Sequence, residues 1–122
     1  MSGGCAAFAL GAGSRLTPVR KAATAFLQAL GTGNGSAACA AMTRNEQAQI
    51  AAQYRQATCP EAVAVLLKPL SAAQRRKLAA TPVGTADLRN SLGYVHCGRN
   101  PLQLTQLTLS QYDGTWLVAQ LV

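Results

Sequence analysis

Apolar residues recur at helical spacing in the first two-thirds of the chain and alternate with polar ones in the last third. Val19, Ala22, Ala23, Phe26, Leu27 and Leu30 fall on one helical face, with Arg20, Lys21, Thr24 and Gln28 off it. Thr17 and Pro18 suit the cap and first turn of that helix, and Gly31 suits its end. Residues 1–16 then read as a flexible N-terminal tail, and 17–122 as one domain. After the loop Gly31-Thr32-Gly33-Asn34-Gly35, Ser36 opens a short helix to residue 42. Thr43-Arg44-Asn45-Glu46 matches a capping box, which starts a helix reaching about Tyr54. Pro60 opens another, with Val63, Leu66, Leu67 and Leu70 as its apolar stripe and Pro69 as its stop. Ser71-Ala72-Ala73-Gln74 is a second capping box, for a helix to about Ala80.

Past Thr81-Pro82-Val83-Gly84 the pattern changes to strands. TADLR and SLGYVHC read as two of them, GRNP as a turn, and the remainder as a hairpin closed by Asp113-Gly114, a type I′ signal. That turn sets Tyr112 opposite Thr115, Gln111 opposite Trp116 and Leu109 opposite Val118. One face of the hairpin then carries Leu107, Leu109, Trp116, Val118 and Val122, and the other Leu104, Leu117, Ala119 and Leu121. The last strand is apolar on both faces, so both should be at least partly covered. Helices satisfy one. The other lines a pocket or meets a second subunit, which makes Leu107, Leu109, Trp116 and Val118 the candidate pocket or sheet face. Helices followed by a curved antiparallel sheet define an α+β fold.

Composition narrows this picture. Almost half of the chain is hydrophobic, but with two Phe, three Tyr and one Trp the aromatic share of the core is small, and alanine buries little area. Eleven Lys and Arg against four acids give a net charge of +7, enough to steer a protein toward anionic partners. The basic residues are scattered, however, and the one run, Arg75-Arg76-Lys77, lacks interleaved aromatics and belongs to no nucleic-acid module. It reads as a solvated helix face, and no specific nucleic-acid partner is expected. No apolar run is long enough to span a bilayer. Ser2-Gly3-Gly4-Cys5 has the look of the end of a bacterial lipobox, with Cys5 as the lipidated residue. The hydrophobic segment before it is missing, and Ser2 stands where Leu is usual. A lipid anchor at Cys5 is the one membrane attachment expected.

Four cysteines, Cys5, Cys39, Cys59 and Cys97, include no C-x-x-C pair, and the single His96 adjoins Cys97, where a strand points the two side chains apart. Neither a metal site nor redox chemistry is expected, and no cofactor. A bond between Cys39 and Cys59 would close a loop of about twenty residues, worth on the order of 3 kcal/mol. The alternative is a pair of buried reduced thiols. Cys97 reads as a buried strand thiol, with a bond to Cys5 as the other option.

Three stretches, AATAFLQALGTGNGSAACAAMT, CPEAVAVLLKPLSAAQRRKL and the closing LTLSQYDGTWLVAQLV, resemble a group within the nuclear-transport-factor-2-like superfamily, the cone-shaped fold shared with ketosteroid isomerase. The group is that of exported actinobacterial lipoprotein-type proteins, and the resemblance covers residues 18–122. It implies that Cys39 and Cys59 pair, and that the protein is exported, extracellular or attached to the cell envelope.

The fold serves enzymes and plain binders alike, so function has to come from a site. No G-x-S-x-G is present, and the glycine loop lacks the Lys-Ser/Thr of a phosphate loop. Glu46 and Glu61 occupy helix starts, where capping and the helix dipole account for them, and Asp113 belongs to the turn. Asp87, Tyr94 and His96 are left as candidate catalytic residues on the first two strands. The leading expectation is a non-enzymatic exported or cell-surface binding or accessory domain, taking a small apolar ligand or a protein partner, with a homodimer through the sheet among the partners. The alternative is a small isomerase, cyclase or hydrolase using Asp87 and His96 on a polyketide-like or steroid-like substrate.

Overall fold

The computed structural model describes residues 3–122, with side chains from residue 15 onward. Cys5 and its expected lipidation therefore lie outside the described side chains. Five helices precede a four-stranded antiparallel sheet. They are α1 (Gly3–Gly31), α2 (Gly35–Ala40), α3 (Arg44–Gln53), α4 (Cys59–Leu67) and α5 (Ala72–Ala79). The strands β1 (Val83–Arg89), β2 (Leu92–Cys97), β3 (Gln106–Tyr112) and β4 (Thr115–Leu121) form a meander in the order β1-β2-β3-β4, and the sheet does not close on itself. The expected α+β plan is the observed one.

The helix expected to begin at Thr17 and Pro18 starts at Gly3 instead, with Pro18 inside it. Proline lacks the N–H that the helical ladder would use and its ring crowds the carbonyl four residues back, so it favours a helix start; its fixed φ is nonetheless helical, and here it lies inside α1. Beyond Pro18 burial holds the helix in place: Val19, Ala23, Phe26, Leu27 and Leu30 are fully buried. They cover the inner face of the sheet, where Val95, Leu107, Leu109 and Val118 are equally buried. α1 comes so close to β2 that a Cβ on Gly93 would stand 2.7 Å from Val19 Cγ1.

The short helices are fixed at their starts by side-chain caps. Asn34, Thr43, Thr58 and Ser71 each accept a backbone N–H of the first turn of α2, α3, α4 and α5. Thr58 with Glu61 and Ser71 with Gln74 form full capping boxes. The box expected between Thr43 and Glu46 is half made. Thr43 Oγ1 accepts the Glu46 N–H at 3.1 Å, but the Glu46 carboxyl turns inward. Cys39 of α2 and Cys59 of α4 are joined by a disulfide, 20 residues apart in sequence and 6.0 Å between Cα atoms. Both halves are buried among Met42, Ala62 and Val63. Gln47 of α3 locks the same corner by donating to the Cys39 carbonyl at 2.7 Å and to the Met42 carbonyl at 3.2 Å.

Asp113 and Gly114, both at positive φ, close the last hairpin with the expected partners: Tyr112 with Thr115, Gln111 with Trp116 and Leu109 with Val118. Past Val118 the register slips, because Thr108 pairs with Gln120 and Leu107 with Leu121. Ala119 is thus an extra residue in β4, a β-bulge. The slip reverses the expected sidedness of the strand end. Leu121 joins Leu107 and packs against the core, whereas Val122, expected on the face of Leu107 and Val118, is 54% exposed. β1 and β2 also form a two-residue hairpin, with Asn90 and Ser91 at φ 52° and 67°.

The β4 edge is covered. Val118 donates to the Ala41 carbonyl at 2.7 Å and accepts from Thr43 N–H at 2.9 Å, so the segment between α2 and α3 runs beside β4 as a short parallel bridge of Met42 with Val118.

Candidate functional site

On β1 and β2, Asp87 stands directly opposite Tyr94, and His96 follows two residues on, opposite Gln106 of β3. The three share the outer face of the sheet, away from the helices, as the strand parity of Tyr94 and His96 requires. They do not converge in a cavity. His96 is exposed and Tyr94 half-buried. Asp87 pairs with Arg89 at 2.9 Å, with both side chains more than half exposed. The Arg89 guanidinium lies 4.5 Å from the Tyr94 ring centroid, a cation–π contact. Next to Tyr94 in the same row, Thr108 is buried by its neighbours. This is a compact polar surface rather than an acid and base facing a shared reacting atom.

The candidate pocket residues Leu107, Leu109 and Val118 are fully buried against α1, and Trp116 packs partly buried beside them. They belong to the core, packed against the buried face of α1, and border none of the cavities described below. Cys97, expected as a buried thiol, is half-buried and free. Burial pushes its thiol pKa up, which makes it a poor nucleophile at neutral pH.

A cavity does open where α3, α4, the loop after β2 and the end of β4 meet. It measures about 170 Å³ and is bordered by Glu46, Ile50, Gln53 and Tyr54 of α3 and its C-terminal cap, Leu66 of α4, Leu102 and Leu104 of the loop, and Leu121 of β4. Each wall has a local cause. Glu46, Ile50 and Gln53 repeat at helical spacing and so share one face of α3. The loop is held by Asn100, whose Nδ2 donates to the carbonyls of Gly98 and Leu104, both at 2.8 Å, while its Oδ1 accepts the Leu104 N–H at 3.0 Å. That ring of bonds presents Leu102 and Leu104 to the cavity. Leu121 reaches it through the Ala119 bulge.

Glu46 is the chemical feature of this cavity. It is 8% exposed, and burial raises its carboxyl pKa above the ordinary value, with a hydrogen bond from the Leu121 backbone N–H acting in the opposite direction. Desolvation wins because a single neutral donor replaces only part of the water shell of a carboxylate. By its position in the chain Glu46 fits a cap. The available signal was its phase: four residues before Ile50, on the buried stripe of α3, where a capping glutamate would normally face solvent.

Among the described residues no group of His, Cys, Asp and Glu could hold a metal ion, and no helix is long and apolar enough to cross a membrane. The Cys39–Cys59 bond is compatible with an extracellular protein. Comparison of the chain with protein-family models, with curated proteins and with solved structures gave no match.

Proposed function

We propose that the chain is an exported or cell-surface binding domain of the nuclear-transport-factor-2-like class, taking one small, largely apolar ligand into the Glu46 cavity. The observation that carries this reading is the cavity itself: five aliphatic side chains around a single buried carboxyl, in about 170 Å³. An engineered apolar cavity of about 150 Å³ takes up benzene, so the volume suits one six-membered ring. Aliphatic walls supply the affinity, and the carboxyl with the Tyr54 and Gln53 side chains at the border supplies orientation. The order of elements and the closing hairpin support the class, and the disulfide supports export. A catalytic reading through Asp87 and His96 has less behind it, since Asp87 is exposed and already paired.

Nuclear magnetic resonance titration with benzene tests the proposal. Saturable shifts are expected at the Ile50 methyls and the Leu121 amide, and Leu104→Trp, which fills the space, should abolish them. A wild-type protein whose Ile50 and Leu121 signals stay put up to the solubility of benzene would overturn it.

A further inference from the structure

The two edges of the sheet are treated differently. β4 is covered by the Ala41–Thr43 segment through two main-chain bonds. β1 has β2 as its one strand neighbour. α1 passes beside it, with Arg15 and Leu16 bordering Ala86, Asp87 and Leu88, but among the described residues its bond to the β1 main chain is a long one from Arg20 Nη2 to the Val83 carbonyl, 3.4 Å, at the far end of the strand. The two-residue turn at Asn90-Ser91 makes Arg89–Leu92 a hydrogen-bonded pair, and bonded pairs alternate along an antiparallel ladder. Asp87–Tyr94 is therefore the next such pair, which leaves the N–H and C=O of Leu88 directed away from the sheet. An edge of this kind is a template for another strand.

From this we infer that β1 is a self-pairing edge, which joins a second copy of the chain antiparallel about a two-fold axis at Leu88. The charge pattern selects that partner and that register. With the axis at Leu88, Leu88 exchanges two main-chain bonds with its counterpart, and Asp87 of each copy lies opposite Arg89 of the other. These are non-bonded-pair positions, where side chains approach most closely. Moving the axis to residue 87 or 89 sets Asp against Asp or Arg against Arg, which is repulsive. Asp87 and Arg89 already share the outer face, so the two copies build a two-by-two block of alternating charges, flanked by Tyr94 of each copy under its own Arg89. The bulge between Val83 and Ala86 limits the pairing to the stretch from Ala86 to the turn. A contact this short buries less than a standard interface, so the dimer is weak and depends on concentration.

Sedimentation velocity from ~10 µM to ~1 mM reads this directly, because a weak dimer follows mass action. The wild-type protein should move from monomer toward dimer over that range. Asp87→Arg alone, or Arg89→Asp alone, should leave monomer throughout, with far-ultraviolet dichroism confirming that each variant is folded. The double exchange Asp87→Arg with Arg89→Asp restores the same opposition with signs reversed and should restore the dimer. A wild-type protein that is monomeric at the highest concentration, a single reversal that still dimerises, or a double exchange that stays monomeric would each overturn the inference.

Discussion

Glu46 stands in the first turn of α3, and its carboxyl accepts the backbone N–H of Leu121 at the far end of β4. This contact ties α3 to the end of β4, beyond the bonds of Val118 to Ala41 and Thr43, and places an acid in a cavity it shares with five aliphatic side chains, Gln53 and Tyr54. It also makes stability depend on pH in a defined sense. A carboxyl whose pKa is raised on folding binds its proton more tightly in the folded state than in the unfolded one. Its favourable contribution is complete below the ordinary value of 4.5 and is lost as pH rises through the raised folded value. Glu46→Gln keeps an acceptor for the Leu121 N–H and removes the charge. The variant and the wild type should therefore be closest in urea stability under acidic conditions, and the variant should become the more stable of the two as pH rises toward neutrality. A difference independent of pH would show that Glu46 is not the titrating group.

The disulfide brings a second expectation. Cys39 and Cys59 close a 20-residue loop between α2 and α4, and constraining the unfolded chain over such a loop is worth about 3 kcal/mol. Replacing both residues by Ala should lower the urea-unfolding free energy by roughly that amount and leave the sheet intact by dichroism. α1 packs on the strands without involving the bond.

Much of this architecture could be read along the chain. The α1 stripe, the cap residues Thr43 and Ser71, and the register of the last hairpin as far as Leu109–Val118 follow from local rules, because each depends on residues within one or two turns of each other. What could not be read depends on contacts distant in sequence. The Ala119 bulge obeys no local composition rule, and it alone moves Leu121 inward and Val122 outward. Glu46 satisfies a capping pattern equally well whether it faces solvent or Leu121. The choice is made by Leu66, Leu102 and Leu104, which stand 20 to 58 positions further along. Asp87 and Tyr94 stand on adjacent strands, as the alternation of apolar and polar residues predicts. Their face was decided by α1, which covers the opposite side of the sheet.

The β1–β2 turn holds stored strain. Asn90 and Ser91 are both left-handed, at φ 52° and 67°. Asparagine tolerates that region, but serine does so at a cost of roughly 1 kcal/mol. Asn-Gly is the preferred pair for such a turn. Ser91→Gly should therefore raise stability by up to about 1 kcal/mol, less a part returned through the greater freedom of the unfolded chain. Urea denaturation measures the gain, and an unchanged or lower midpoint would contradict the strained-turn reading.

Gly93 makes the opposite case, a glycine needed for space. A methyl group at this position would meet Val19 Cγ1 at 2.7 Å and Trp116 at 3.5 Å. Both neighbours sit between α1 and the sheet, and Val19 is fully buried, so α1 has to shift or Val19 has to leave its rotamer. Overpacking of this kind costs about 1–3 kcal/mol, and Gly93→Ala should lower stability within that range. The origin of the loss is checked by a double-mutant cycle. Val19→Ala alone also destabilises, by opening space in the core. In the Gly93→Ala, Val19→Ala double variant the new methyl group occupies part of that space, so the combined loss should be clearly smaller than the sum of the two single losses. Additive losses would mean that α1 does not press on β2 at this point, and that the helix meets the sheet at a greater distance than the Val19–Gly93 contact requires.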